Sequence, residues 1–309
     1  MTPLRLVFAG SPAAAVPSLE ALIAGPHDVV AVITREDSPQ GRRGTLTPTP
    51  VADTAAAAGI EVIKANRLAG AATDRVDRLA PDLGVIVAYG GLVKEPLLST
   101  PRMGWINLHF SLLPRWRGAA PVQRAIIAGD DLTGATVFQL VPELDAGDVF
   151  GQLTEPIGRQ QTAGSLLEQL SASGADLLVR VIDSLADGSA TALPQVGDVT
   201  LAPKLTLPDG QLDWWQEAGV IANHVRGVTP EPGAFTTVDG ARLKVIEAAV
   251  ARDVPRLAPG HLELVGKTLL IGTSSDPIEL VRVHPAGKKQ MAAADWWRGR
   301  PVTSSGVAE

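Results

Sequence analysis

An alternation of two kinds of segment in the first half of this 309-residue chain constrains its fold more than any other feature. Short, largely apolar runs rich in β-branched residues are typical of strands buried on both faces of a sheet. They lie at residues 4–9, 29–34, 61–63, 83–88 and 105–109. Helical patterns lie between them at residues 16–24, 51–58 and 73–79. This βαβ alternation predicts an α/β fold built on a parallel, doubly wound sheet.

The second half of the chain begins with a change of pattern. Residues 133–140 and 149–157 alternate as antiparallel strands do, and residues 162–185 have helical spacing. The pattern then thins at residues 187–198, where glycine and proline indicate a linker.

Five short strands with turn signals follow a helix predicted at residues 215–225. The strands are predicted at residues 233–238, 242–250, 261–265, 268–272 and 279–283. Such a set indicates a small β-barrel, for which the oligonucleotide-binding (OB) type is the obvious candidate. We therefore predict a domain at residues 1–189, a linker at residues 190–206 and a barrel domain at residues 207–309.

The composition excludes several kinds of chemistry and location. Because the chain has no cysteine, disulfides, thiolate catalysis and cysteine-held metal sites are excluded. The N-terminal apolar run is broken at Gly10 and Pro12, which makes it too short for a secretion signal. No apolar run approaches the roughly 20 residues of a membrane-spanning helix. A location in the cytoplasm is predicted, with disorder expected only at residues 303–309.

Two glycine-containing segments were compared with known patterns: the first lacks the dinucleotide-binding fingerprint, and the second is an unusually long connection. Gly10 follows the first strand, but no further glycines complete the Gly-x-Gly-x-x-Gly fingerprint, so a nicotinamide cofactor is rejected. Residues 35–50 form a sixteen-residue connection, where a crossover ordinarily takes about two to six residues. Connections of that length in compact domains are generally functional or mobile, and this one carries Arg42 and Arg43.

Polar groups stand at the end of the strand predicted at residues 105–109. Asn107 and His109 are two positions apart, so their side chains project from the same face of the strand. A proline-bearing turn follows, which places both groups at the mouth of the sheet, where catalytic groups are commonly found. Asp145 lies in a glycine-bounded turn, and no periodicity brings it to the pair. Each residue also has a purely structural interpretation, as a buried histidine, a strand-end cap and a turn aspartate.

Spaced motifs surround these three residues. They are Asn107-x-His109-x-Ser111-Leu112-Leu113-Pro114, Arg117-Gly118-Ala119-x-Pro121 and Leu144-Asp145-x-Gly147-Asp148. With Phe8-Ala9-Gly10-Ser11-Pro12 and Val87-Ala88-Tyr89-Gly90, this set resembles the folate-dependent formyltransferases over nearly the entire chain, and most closely the branch that formylates methionyl-tRNA. The resemblance implies a Rossmann-like formyltransferase domain joined to a C-terminal OB-like β-barrel domain.

The resemblance also implies roles for particular residues. Asn107, His109 and Asp145 correspond to the catalytic trio of the family. Folate binding is implied for Ser111, Leu112, Leu113 and Pro114, and for the backbone at Val87, Tyr89 and Gly90. The implied co-substrate is 10-formyltetrahydrofolate, without a metal, and the five histidines show no paired metal-ligand spacing. Phe110 and Gly91 depart from the family pattern beside the folate-binding segments.

Formyl transfer from nitrogen to an amine requires the kinds of group found in the trio. Negative charge develops on the formyl oxygen, so the site needs hydrogen-bond donors there, which Asn107 and His109 are expected to supply. The amine must lose a proton while the folate nitrogen gains one, and a histidine that titrates near neutral pH can carry it. Asp145 is expected to raise the imidazole pKa, orient the ring or anchor a proton-shuttling water.

The resemblance implies that the formyl acceptor is methionyl initiator tRNA. It also implies that the protein is a monomer. The net charge of −6 argues against whole-molecule attraction to a polyanion, but residues 280–300 hold five basic residues against one aspartate. Arg42, Arg43, Lys288 and Lys289 are the predicted tRNA-binding residues. Two alternatives stay open: a formyltransferase acting on an amino sugar nucleotide or glycinamide ribonucleotide, and a non-catalytic tRNA-binding protein.

Overall fold

A computed structural model of the chain describes residues 2–41, 44–300 and 306–309. The chain divides into two compact units, each described below by itself. Unit 1 comprises Met1–Pro121, Leu132–Pro156 and Leu167–Ala202. Unit 2 comprises Val122–Asp131, Ile157–Leu166 and Pro203–Glu309.

Every predicted helix and strand is present in the predicted order, but the helices at residues 121–128 and 293–298 were not predicted. The strands are β1 (Arg5–Gly10), β2 (Asp28–Thr34), β3 (Ser38–Gln40), β4 (Thr45–Thr47), β5 (Val62–Lys64), β6 (Leu83–Val87), β7 (Trp105–His109), β8 (Arg117–Gly118), β9 (Leu132–Gln139), β10 (Val149–Pro156), β11 (Leu201–Ala202), β12 (Ala234–Val238), β13 (Ala241–Val250), β14 (Leu262–Val265), β15 (Thr268–Ile271), β16 (Ile278–Pro285) and β17 (Met291–Ala292). The helices are α1 (Val16–Ala24), α2 (Pro50–Ala57), α3 (Ala71–Leu79), α4 (Pro121–Ala128), α5 (Ala163–Asp187), α6 (Ala218–Gly227) and α7 (Ala293–Arg298). No helix in the described part of the chain is long and apolar enough to cross a membrane.

Unit 1 is built on a seven-stranded sheet in the order β10-β9-β7-β6-β1-β2-β5. The five strands from β7 to β5 run parallel, and β9 and β10 add antiparallel strands at one edge. The parallel doubly wound sheet and its antiparallel extension are therefore confirmed. Successive strands run from β1 to β2 on one side and from β6 to β7 on the other, so the strand order reverses between β1 and β6. Ligands of open α/β sheets bind beyond the carboxyl ends of the strands at such a point.

Close packing of β6 against β7 depends on one glycine. A Cβ atom at Gly84 would lie 2.1 Å from the ring of Trp105, its register partner on β7. Trp105 is fully buried, and its Nε1 donates a hydrogen bond of 2.8 Å to the carbonyl of Leu97. This contact anchors the start of β7, the strand that carries Asn107 and His109 at its other end.

The long connection at residues 35–50 contains an antiparallel hairpin rather than an irregular loop. Strand β3 pairs with β4 from Ser38 opposite Thr47 to Gln40 opposite Thr45. Gly41 and Gly44 have φ angles of 67° and 62°, a conformation that glycine adopts without strain. Arg42 and Arg43 lie outside the described residues.

The segment predicted as a linker, residues 190–206, pairs largely with unit 1. Leu193 forms a two-bond bridge with Val149, and β11 pairs in parallel with β8. We call residues 193–202 the strap. Secondary-structure propensity gives little indication of the strap, because the backbone hydrogen bonds of the strap go to residues distant in sequence.

Unit 2 is centred on an antiparallel sheet in the order β12-β13-β16-β15-β14, with β17 paired to β16. Apolar side chains of α6, such as Ile221 and Val225, pack with the sheet in one core. The last residues pair with both edges: Val307 bridges His261 beside β14, and Ala308 bridges Val238 of β12. The predicted barrel-like domain is confirmed, whereas the expected disorder is wrong for residues 306–309, because backbone hydrogen bonds hold them.

Candidate active site

Three parallel strands end side by side at the centre of the unit 1 sheet. Gly10 of β1 is the register partner of Val87 on β6, which in turn pairs with Leu108 on β7. Because parallel strands share one carboxyl edge, the segments that follow these three strands meet there. Two of them, at residues 87–90 and 109–114, hold most of the predicted site residues.

Asn107 is half-buried near the end of β7, flanked by the buried side chains of Ile106 and Leu108. Its side-chain amide makes no hydrogen bond within the described parts of the chain. A strand-end cap would use that amide on the protein's own backbone. The free amide is instead available to a bound molecule.

His109 is buried, with 6% of its surface exposed. Its Nε2 lies 2.9 Å from the carbonyl oxygen of Trp116, which can only accept a hydrogen bond. Nε2 therefore carries the proton in the neutral ring, and the lone pair is on Nδ1. That nitrogen lies 3.9 Å from Oδ2 of Asp145.

The pKa of His109 is lowered from its ordinary value of 6.5, because burial disfavours the charged ring more than its neighbours favour it. The Asp145 carboxylate and the Trp116 carbonyl both act to raise the pKa, but burial outweighs them. Asp145 therefore acts to raise the pKa of the imidazole, as expected, but the pKa of His109 is lowered overall. The neutral ring is the form present near pH 7.

Asp145 reaches the pair through a tight turn after β9. Its Oδ2 accepts a hydrogen bond of 2.7 Å from the backbone N–H of Gly118. A Cβ atom at Gly147 would lie 1.7 Å from the carbonyl oxygen of Gln139, so only glycine permits this close approach of the turn to β9. The structure therefore brings Asp145 to His109, two positions along β7 from Asn107.

Three residues around this site have a strained backbone. Ala88, Trp116 and Asp145 have φ angles of 49°, 61° and 46°, which side chains with a Cβ atom rarely adopt. Ala88 follows β6, Trp116 supplies the carbonyl that orients His109, and Asp145 is a trio member. Strained residues of this kind cluster at functional sites, where the surrounding structure holds them in place.

The turn predicted to bind folate is shaped by side chains of the neighbouring strands. Ser111 is fully buried, and its hydroxyl donates to the carbonyl of Arg115 at 2.6 Å. Thr136 of β9 donates to the Ser111 carbonyl at 2.6 Å and accepts from the Leu113 N–H at 3.2 Å. Gln152 of β10 donates to the Leu113 carbonyl at 3.0 Å. Ser111 therefore supports the turn, and Leu112 and the turn backbone are left to meet a ligand.

The segment after β6 offers backbone rather than side chains. Tyr89 is buried, and its hydroxyl donates to the Ala65 carbonyl at 2.6 Å. The carbonyls of Tyr89 and Gly90 accept hydrogen bonds from Arg35. The N–H groups of residues 89–91 donate to no other described residue. Free N–H groups of this kind fit the acceptor atoms on the edge of a pterin ring.

The chain is similar to known proteins over almost its whole length. A family model described as formyl transferase matches residues 4–182, and one described as formyl transferase, C-terminal domain, matches residues 204–301. The methionyl-tRNA formyltransferase of Leifsonia xyli subsp. xyli is 60% identical over 296 residues, covering 96% of this chain and 97% of that protein. That of Clavibacter michiganensis subsp. michiganensis is 57% identical with the same coverage.

The chain belongs to the formyltransferase family.

Solved structures share the fold of this formyltransferase at low sequence identity. An N-formyltransferase from Helicobacter canadensis, in complex with folinic acid and dTDP-3-aminofucose, has a TM-score of 0.69 at 17% identity, covering 90% of this chain and 98% of that one. Glycinamide ribonucleotide transformylase 1 from Symbiobacterium toebii has a TM-score of 0.53 at 21% identity, covering 62% of this chain and 94% of that one. At these identities the likeness concerns the fold alone.

The predicted tRNA-binding residues lie away from the trio in the chain. Lys288 and Lys289 are exposed in the turn between β16 and β17 of unit 2. Neither side chain has an acidic partner within the described residues, whereas Arg298 and Arg300 pair with Asp295 and Asp239. Among the described residues, no cluster of three or more potential metal ligands occurs.

Four residues that support the site escaped sequence analysis. Thr136 and Gln152 lie on strands whose alternation predicts only which face is buried. Gln195 and Thr200 lie in the strap, in a stretch without periodicity. A polar residue on the inward face of a buried strand, as at Thr136, is the one signal that sequence offers.

Proposed function

We propose that this formyltransferase transfers the formyl group of 10-formyltetrahydrofolate to the free amino group of methionyl initiator tRNA. The product would be N-formylmethionyl-tRNA for translation initiation. One observation carries the proposed chemistry: the free amide of Asn107 stands on the same strand as the buried His109, which faces Asp145. The acceptor is supported by relatives named methionyl-tRNA formyltransferase that match almost the whole chain.

Asn107 is proposed to stabilise the negative charge that develops on the formyl oxygen. Its amide is a donor that need not break an existing hydrogen bond before it acts. A preorganised donor of this kind is worth on the order of 100- to 1,000-fold in turnover.

His109 is proposed to take the proton that the attacking amine loses and to pass it to the folate nitrogen as the bond from that nitrogen to the formyl carbon breaks. Because Nε2–H donates to the Trp116 carbonyl, Nδ1 is the basic nitrogen. A neutral ring has no second N–H for the formyl oxygen, so His109 can join Asn107 as a donor only after Nδ1 is protonated. Asp145, 3.9 Å from Nδ1, then stabilises the charged ring. The lowered pKa keeps the ring ready to accept a proton at neutral pH.

The folate co-substrate supplies a one-carbon acyl group on nitrogen. The backbone of residues 89–91 is proposed to bind the pterin through its free N–H groups, with Val87 and Gly90 shaping the segment. The turn at Ser111, Leu112, Leu113 and Pro114 is proposed to bind the co-substrate from the other side. Burial of Ser111 and Leu113 assigns that contact chiefly to Leu112 and the backbone.

The proposed tRNA contacts are Arg42 and Arg43, between Gly41 and Gly44 in the sequence, and Lys288 and Lys289 in unit 2. Phosphate contacts by basic side chains position a nucleic acid without reading its sequence. The proposed location is the cytoplasm, and the proposed state in solution is a monomer.

An acceptor panel tests the proposal. Labelled formyl-folate is offered with methionyl-tRNA, glycinamide ribonucleotide or an amino sugar nucleotide. We expect rapid labelling of methionyl-tRNA alone. Labelling of another acceptor at higher kcat/KM would assign the enzyme to that acceptor, and salt-sensitive tRNA binding without any transfer would favour a non-catalytic protein.

A further inference from the structure

The strap, residues 193–202, crosses the two backbone segments that hold His109 and Asp145 in place. Thr200 accepts at its carbonyl from the N–H of Arg117 at 2.9 Å, and its own N–H lies 3.4 Å from the Pro114 carbonyl. At its other end, Leu193 exchanges two backbone hydrogen bonds with Val149. The strap is therefore tied to both sides of the site by its backbone, and two of its side chains reach further in.

Gln195 uses both ends of its side-chain amide on the Asp145 turn and its surroundings. Nε2 donates to the carbonyls of Asp145 and Gly147, at 2.8 and 2.9 Å. Oε1 accepts from the guanidinium of Arg117, at 2.6 Å from Nη2 and 3.2 Å from Nε. No other amino-acid side chain of this size offers two donors and an acceptor in one plane.

Thr200 holds the residue that orients His109. Its Oγ1 accepts a hydrogen bond of 2.8 Å from the backbone N–H of Trp116. The carbonyl of Trp116 is the acceptor for Nε2 of His109. An amide and a hydroxyl five positions apart on the strap thus fix the Asp145 backbone and the carbonyl partner of His109.

We propose that Gln195 and Thr200 are positioning residues for formyl transfer: Gln195 fixes the backbone of Asp145, and Thr200 fixes the Trp116 carbonyl that orients His109. This inference rests on the catalytic roles given under the proposed function. Neither Gln195 nor Thr200 is proposed to contact the reacting atoms. Each acts through a residue in a left-handed conformation, Asp145 or Trp116, which relaxes if its restraint is removed.

The distances explain why such restraints matter. Nδ1 of His109 and Oδ2 of Asp145 are 3.9 Å apart, beyond direct hydrogen-bond range, so each group is placed by its own contacts rather than by the other. A misplacement of about 1 Å at a reacting group can cost about 100-fold in rate. Loss of positioning should therefore reduce kcat while leaving the binding of both substrates intact.

The test compares strap variants in the full-length enzyme. Thr200→Val keeps the shape but removes the hydroxyl, and Thr200→Ser keeps the hydroxyl. Gln195→Met removes the amide, and Val196→Ala is the matched control, since Val196 is 87% exposed. We expect Thr200→Val and Gln195→Met to lower kcat by roughly 10- to 100-fold, with both KM values nearly unchanged. Thr200→Ser and Val196→Ala should stay close to wild type.

The pKa of His109, titrated through its ring NMR signals, gives a readout that general loosening of the fold would not reproduce. Asp145 faces the ring, Arg117 is held by Gln195, and the Arg115 guanidinium lies 5.5 Å from the ring of Trp116. In Gln195→Glu a carboxylate oxygen faces the carbonyls of Asp145 and Gly147, and the added negative charge raises the pKa of His109. Gln195→Met releases the Asp145 turn without adding charge. The titration midpoint of His109 should therefore move to higher pH in Gln195→Glu and to lower pH in Gln195→Met.

The proposal is overturned if Thr200→Val and Gln195→Met have wild-type kcat, or if Thr200→Ser is as slow as Thr200→Val while both melt at the wild-type temperature. Should Thr200→Val fail to fold, the opposite pH shifts of the two Gln195 variants still decide the matter. An inactive wild-type enzyme would instead refute the proposed function, which separates the two failures.

Discussion

The imidazole of His109 experiences opposing influences on its pKa. Burial lowers the value, while the Asp145 carboxylate and the Trp116 carbonyl raise it, and burial prevails. A base with a lowered pKa is half-protonated only at a pH below the ordinary value of 6.5. The neutral, proton-accepting ring therefore persists into mildly acidic solution.

This balance predicts where the His109 ring titrates in the free enzyme. We expect the pKa of His109, read from its ring NMR signals against pH, to lie below 6.5. Asp145→Asn removes a charge that raises the pKa, so the ring should titrate at still lower pH in that variant. A His109 pKa at or above 6.5 in the wild-type enzyme would show that burial does not outweigh the Asp145 carboxylate.

The free amide of Asn107 leads to a second prediction. Asn107→Ala should reduce kcat on the order of 100- to 1,000-fold, because it removes a donor to the formyl oxygen. Its melting temperature should barely change, since the amide bonds to no described residue. Asn107→Asp is the control for shape, and it should be equally slow because it offers no N–H. Near-normal turnover of either variant would remove Asn107 from the mechanism.

The sequence predicts some of these residues better than others. The pairing of Asn107 with His109 follows from the two-residue period of a strand, and the structure agrees. Asp145 is 36 positions from His109 in the numbering, and only the family resemblance joined the two. The turn geometry that closes this gap depends on Gly147 against the Gln139 carbonyl, a contact that no local pattern predicts.

Among the helices and strands, the sequence predicts those that are regular and buried. The parallel strands and most helices agree with their predicted positions within a few residues, because hydrophobic periodicity decides them. The hairpin β3–β4 and the strap were predicted as a loop and a linker. Both are short and polar, and the strap is held by hydrogen bonds to Val149, Pro114 and Arg117, which lie far away in sequence.

The C-terminal residues 306–309 tie together the two edges of the unit 2 sheet. Hydrogen bonds join Thr237 and Glu309 in both directions, Ala308 to Gly260, and Leu262 to Gly306, at 2.7 to 2.9 Å. Because the unpaired edges of an open sheet are prone to association, this closure protects unit 2 as well as stabilising it.

Removal of residues 306–309 should therefore destabilise unit 2. Loss of four backbone hydrogen bonds at about 1 kcal/mol each amounts to roughly 4 kcal/mol in the free energy of unfolding. Chemical denaturation of the truncated and full-length proteins measures the difference, with Glu309→Gln as a control that keeps the backbone. An unchanged midpoint would mean that the tail does not contribute to the stability of the barrel.

For the whole molecule, the arrangement of charge matters more than its sum. The net charge of −6 repels a polyanion, yet Lys288 and Lys289 stand exposed without acidic partners among the described residues. The sequence revealed this local surplus of basic residues. It did not reveal that Arg298 and Arg300 are paired with carboxylates, because those pairings depend on the folded chain.

Replacement of both lysines by alanine should weaken use of tRNA. We expect a higher KM for methionyl-tRNA, an unchanged KM for the folate, and a slope of log affinity against log salt that is less steep by roughly 2. Lys267→Ala is the matched control, since Lys267 is also exposed in a turn of unit 2. Equal effects of this control and the double variant would contradict a specific role for the Lys288 turn.

The proposed acceptor of this formyltransferase is the amino group of methionyl initiator tRNA. Measurement of kcat/KM for formylation of methionyl initiator tRNA and of methionyl elongator tRNA, with the same 10-formyltetrahydrofolate, tests this proposal. We expect efficient transfer to the initiator tRNA and much poorer transfer to the elongator tRNA. Equal rates for both tRNAs, or no transfer to either, would contradict the proposed acceptor.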